Sequence, residues 1–97
     1  MMDIIFIIYD ADFDDDIMNI INFSGIKGFT KWDRVLGRGR GVEAKMDDAV
    51  WPGFNSTIVA AVNKEDQGPF LENLKKLSKE LKGKGLKAFT FPVEEII

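Results

Sequence analysis

The chain has no cysteine and no histidine. The first absence excludes disulfides, thiolate metal sites and cysteine nucleophiles. The second removes the commonest general base, the usual transition-metal ligand and every triad built on imidazole. Tyrosine occurs once, at Tyr9, so acid–base chemistry would fall to carboxylates, lysines, hydroxyls and that one phenol. Long apolar runs are missing as well. The longest, residues 4–9, is far too short to cross a bilayer and lacks the flanks of a signal peptide. A soluble, cytoplasmic protein with no membrane insertion is expected. Positive charge is absent from residues 1–26, which hold Asp3, Asp10, Asp12, Asp14, Asp15 and Asp16.

The 97 residues read as one domain, 1–97, near the low end for a self-sufficient core. A hydrophobic content of 45% leaves material for an interface between copies. The net charge of −3 hides an asymmetry. Residues 27–45 carry Lys27, Lys31, Arg34, Arg38, Arg40 and Lys45 against Asp33 and Glu43, a balance of +4. A uniformly basic nucleic-acid binder does not look like this, whereas a domain with one cationic loop and one acidic edge does.

Residues 3–9 (DIIFIIY) are apolar on both alternating faces, which predicts a central strand covered on both sides. Residues 13–24 place Phe13, Ile17, Ile20 or Ile21 and Ser24 at helical spacing. Asp12 is the expected N-cap, with Asp14, Asp15 and Asp16 in the first turn and Ser24-Gly25 closing the helix. Residues 29–36 and 54–62 alternate as strands, the first with one face partly wet. After a polar turn at 63–66, Pro69 is expected at the first position of a helix that buries Phe70, Leu74, Leu77 and Leu81. Residues 86–91 form the last strand. The order β-α-β-β-α-β is that of a ferredoxin-like sandwich, an α+β fold with a four-stranded antiparallel sheet and two helices on one face.

The connection between the second and third strands, residues 37–53, is far longer than a hairpin needs. Its root is GRGRG. Gly37, Gly39 and Gly41 would let backbone N–H groups converge on an anion, while Arg38 and Arg40 add charged donors. The plain alternative is a solvated hairpin. Trp51, before the Pro52-Gly53 turn, would anchor the loop on a partner or pack under its own loop. Lys82, Gly83, Lys84, Gly85 and Lys87 follow the second helix. They would clamp phosphates at a subunit cleft or simply cap that helix. The aspartates at 10–16 lack the glycine and distant glutamate of a calcium loop, so no metal is predicted. A base-stacking sheet would need exposed aromatics on paired strands. Tyr9, Trp32 and Phe89 are the candidates, and the acidity argues against nucleic acid.

On these segments the chain resembles the PII-type nitrogen-regulatory signalling proteins. GIKGFT at 25–30 resembles their helix exit into the second strand. GRGRG at 37–41 is similar to the glycine–arginine–x–lysine–glycine start of their long T-loop. KGKGLKAFTFPVEEII at 82–97 is similar to their B-loop and last core strand. The resemblance covers most of the chain. It implies a homotrimer with sheets around a threefold axis, intersubunit clefts that take ATP or ADP, and a T-loop that docks on protein targets. It places Gly37 and Arg38 at the T-loop root and Gly83, Gly85 and Lys87 on the phosphate side of the cleft. Gly39 stands where the family has the glutamine that helps hold magnesium and 2-oxoglutarate. The loop has no tyrosine for uridylylation, and the arginine pair beyond the last core strand has no counterpart up to Ile97. Sensing of 2-oxoglutarate is not expected. The trimeric CutA family shares this fold, but its metal-linked residues are not evident.

These readings predict a non-enzymatic, PII-like trimer. It would bind a small anionic ligand, with ATP, ADP or AMP as candidates, through residues 37–41, Gly83, Lys84, Gly85 and Lys87. The 37–53 loop would report to a protein target. One alternative is an oligomeric adaptor without a ligand that binds its partner through the loop and Trp51. The other is a small ferredoxin-fold enzyme leaning on Asp33, Tyr9 or Trp32, for which no paired acid and base is visible.

Overall fold

The computed structural model describes residues 1–41 and 43–97. Its elements follow the expected order: β1 (Met2–Asp10), α1 (Asp14–Phe23), β2 (Thr30–Val35), β3 (Asn55–Asn63), α2 (Gln67–Glu80) and β4 (Leu86–Pro92). Short 3-10 turns at Ala11–Phe13 and Lys64–Asp66 lead into the two helices. Among the described residues the strands form one four-stranded antiparallel sheet in the order β2-β3-β1-β4. This is the ferredoxin-like α+β arrangement.

Alternation along β1 sets the core. Asp3, Ile5, Ile7 and Tyr9 are buried on the helix side. They meet Ile17 and Ile21 of α1, Phe70, Leu74 and Leu77 of α2, Ile58 of β3 and Leu86 of β4. Each such side chain contributes roughly 1.5–3 kcal/mol, against about 0.2–1 kcal/mol for an exposed ion pair. The scaffold therefore owes its rigidity to these few residues. Asp3 is the buried exception, and it is satisfied. It accepts from Gln67 Nε2 at 3.2 Å and pairs with Lys64 Nζ at 3.1 Å, tying β1 to the start of α2.

Three local expectations need correction. The capping carboxylate before α1 is Asp10, which accepts from the Asp12 N–H at 3.0 Å, because the chain enters through a 3-10 turn two residues earlier than expected. Pro69 lies at the third position of α2, since Gln67 and Gly68 are already helical. In the single chain β1 is covered on one face only. Ile4, Phe6 and Ile8 point to the other face, opposite Ala61, Val59 and Thr57 of β3 and Phe91, Phe89 and Lys87 of β4. Trp32 of β2 joins them through Thr57. Trp32, Phe89 and Phe91 are 50%, 50% and 46% exposed there. Tyr9 is buried on the helix face and is not among the exposed aromatics.

The sheet has two functionally different ends. At one, β1 finishes at Asp10, beside Asn55 of β3 and close to Gly85 before β4. Both loops singled out in the sequence leave from this end. At the other, Asp3 pairs with Pro92, the Val93 N–H donates to the Met2 carbonyl at 3.1 Å, and the Lys64 N–H donates to the Met1 carbonyl at 2.9 Å.

Candidate functional site

The long β2–β3 connection is closed on itself in two lobes. Gly37 and Lys45 exchange backbone hydrogen bonds of 2.9 and 2.7 Å, which close the first lobe at its base. Arg38, Gly39, Arg40 and Gly41 lie towards its tip and are exposed. Among the described residues, neither arginine takes part in a salt bridge. The second lobe is an aspartate-capped turn. Asp48 Oδ1 accepts from the N–H groups of Val50 and Trp51 at 3.0 and 2.6 Å. The Met46 N–H donates to the Trp51 carbonyl at 3.0 Å, and that of Asp47 to the Gly53 carbonyl at 2.9 Å. Arg34 pairs with Asp47 and stands 5.3 Å over the ring of Phe54. Trp51 is 42% exposed beside the exposed Val50 and Met46, so it does not fold away under its loop.

The 82–87 segment first serves its own helix. Lys82 and Gly83 take positive φ angles of 56° and 73°, and the Gly83 N–H donates to the Ser78 carbonyl at 2.9 Å. This is a glycine-assisted helix C-cap. The Lys84 N–H is also engaged, on the Leu81 carbonyl at 3.1 Å. In this conformation the backbone donors of Gly37, Gly83 and Lys84 are therefore occupied. The side chains of Arg38, Arg40, Lys84 and Lys87 are exposed.

The two loops share an end of the sheet but leave from opposite sides of the strand order. The first runs from β2 to β3 and the second enters β4, so β1 lies between them, and its last residue, Asp10, touches both. A cleft of ≈410 Å³ lies at the base of the first loop, lined by Asp10, Ala11, Asp12, Lys45, Pro52, Gly53 and Phe54. Two carboxylates against one ammonium make it a poor phosphate site on its own. Among the described residues, no cluster of three or more carboxylates is placed to hold a metal ion. No helix among them is long and apolar enough to cross a membrane.

A polar network under the loop end went unread in the sequence. The Tyr9 hydroxyl donates to Asp14 Oδ1 at 2.5 Å, and Lys31 Nζ donates to Asp14 Oδ2 at 2.9 Å. Lys31 also lies 3.4 Å from Asp33, and Ser56 Oγ donates to the Asp33 carbonyl at 2.8 Å. Burial, followed by the bond to Asp14, raises the Tyr9 pKa well above its ordinary value. The bond to Asp14 raises that of Lys31. Burial alone would raise Asp14, but the donors Lys31 and Tyr9 outweigh it and hold the carboxyl below its ordinary value. The available signal was parity. Lys31 alternates with Trp32 and pairs with the buried Ile58 of β3, which turns it to the helix side of the sheet.

The fold and its long, self-closed connection define a ferredoxin-like domain that displays two loops at one sheet end. Its solved likenesses are PII-like proteins. CPII, a nitrogen regulatory PII-like protein from Thiomonas intermedia K12, was solved bound to ADP, AMP and bicarbonate. It aligns with 97% of this chain and 89% of its own at a TM-score of 0.71 and 21% identity. A PII-like signalling protein from Thermus thermophilus aligns over 95% and 86% at 0.62 and 20% identity. A DUF3240 family protein from Shewanella baltica OS155 aligns over 98% and 92% at 0.69 and 14% identity. The chain thus has the fold of the PII-like proteins. No known family profile and no curated protein matches it.

Proposed function

We propose that this protein is a PII-like regulatory trimer that takes a small anionic ligand between subunits and acts through its 37–53 loop. The observation that carries the reading is the uncovered apolar sheet face on a chain that displays two cationic loops at one end. A face of Ile4, Phe6, Trp32, Phe89 and Phe91 is what a second and third copy would bury. Packing copies through it would bring the loops of neighbouring chains to shared clefts. Adenine nucleotides are the first ligands to try, because CPII binds ADP and AMP in its crystals. Arg38, Arg40, Lys84 and Lys87 supply the charge, with Gly37, Gly39, Gly41, Gly83 and Gly85 setting the backbone around them.

Calorimetry with ATP, ADP and AMP on a sample of verified oligomeric state tests the proposal. Saturable binding of one nucleotide, weakened at least tenfold by the double substitution Arg38→Ala and Lys87→Ala, is expected. Flat titrations for all three on an intact trimer would remove the sensor. A second reading, an adaptor without a nucleotide, draws on the exposed apolar tip of Met46, Val50 and Trp51, a surface suited to a protein partner.

A further inference from the structure

We propose that Asp10 is the joint of this end of the molecule: it latches the 45–53 segment to the sheet and couples that segment to the 82–85 turn. Three contacts converge on it. Its Oδ1 accepts from the Asp12 N–H at 3.0 Å, and its Oδ2 lies 3.2 Å from Lys45 Nζ. Its own N–H donates to the Gly85 carbonyl at 2.8 Å. The next N–H along, that of Ala11, donates to the Phe54 carbonyl at 3.1 Å. Two consecutive residues thus hold the base of one loop and the end of the other.

The fit on both sides is close. The Lys45 stem runs across Gly53, where an added Cβ would come within 3.2 Å of its Cδ and where φ is +87°. Lys45 also forms the backbone bridge to Gly37, so its position is passed to the root of the arginine-bearing lobe. At Gly85 an added Cβ would lie 2.8 Å from the Phe13 ring and 3.5 Å from Asp10 Cβ, with φ at +78°. The 82–85 turn thus packs close to Phe13 and Asp10, and Asp10 in turn holds Lys45. The Asp10 and Lys45 side chains are only 17% and 30% exposed, so solvent screens their attraction less than that of a surface pair. The latch holds the segment that bears Trp51 against the body, and its release is the step that a ligand or partner has to drive.

The inference rests on the reading that this loop is an output. Its test uses the unliganded full chain, so a failed nucleotide titration leaves it intact. Hydrogen exchange read by mass spectrometry would follow the bonded amides of Met46, Asp47, Asp48 and Trp51. Asp10→Asn keeps the acceptor for Asp12 but loses the charge, and Lys45→Met keeps the stem over Gly53. Each is expected to speed exchange at 46–51 by roughly three- to fivefold, as befits one partly screened ion pair. The double variant should be no faster than either single, and the α2 amides should be unchanged. Gly85→Ala should speed the same 46–51 amides from the far side of the sheet. Unchanged exchange at 46–51 in both charge variants overturns the latch, and so does an equal acceleration in α2, which signals general loosening. Acceleration confined to 82–88 in Gly85→Ala overturns the coupling.

Discussion

Tyr9 reports on the whole core because it is the chain's single tyrosine and its hydroxyl is shut between β1 and α1. Burial and the bond to Asp14 raise its pKa above the ordinary 10.0, and Asp14 raises that of Lys31 above 10.5. Groups raised on folding stabilise fully below their unfolded values, and that contribution is lost as pH climbs through the folded ones. Asp14 has the opposite sign. Its carboxyl is held below 3.8, so its contribution is present above that value and is lost as acid protonates it. The network is at full strength between these limits. In an alkaline titration, tyrosinate absorbance should stay silent through pH 10.0 and appear only together with loss of helical circular dichroism. A reversible phenol titration centred at 10.0 in the folded protein would show that the Tyr9–Asp14 bond does not form.

At the scale of elements, the helices and strands were legible because each repeats its own period. Phe70, Leu74 and Leu77 recur at helical spacing, so burial in α2 follows from local pattern, whereas DIIFIIY is apolar at both parities and does not say which face of β1 is covered. The 37–53 connection follows no period. Its form depends on bonds across space, Gly37 to Lys45 and Lys45 to Asp10, which no window of residues contains. Its length and charge could be read, but its division into two lobes could not. At 82–85 the sequence left anion binding and helix capping both open, and the backbone bonds show the cap on α2. The second lobe, a turn held by Asp48 with Trp51 at its surface, makes a separable prediction. Trp51→Ala should leave the oligomer and the melting temperature nearly unchanged while abolishing capture of a loop-dependent partner. Retained capture would move the partner surface away from Trp51.

At the scale of the molecule, the uncovered sheet face governs behaviour in solution. Phe89 pairs with Phe6 near the middle of that face, so Phe89→Asp would put a carboxylate where copies are proposed to meet. Burying an unpaired charge there costs several kcal/mol. The variant should run as a folded monomer in light-scattering chromatography, while the unaltered chain runs as a trimer. An unaltered chain that is already monomeric at micromolar concentration would sink the trimer. The backbone bonds at the other end of the sheet have a practical meaning. Met1, Met2 and Val93 gather beside one another, a full strand length from Asp10 and both loops. An affinity tag, a fluorophore or a surface tether attached at either terminus would hang from the pole away from the loops. A label at Met1 or beside Val93 would therefore leave both loops turned to solution.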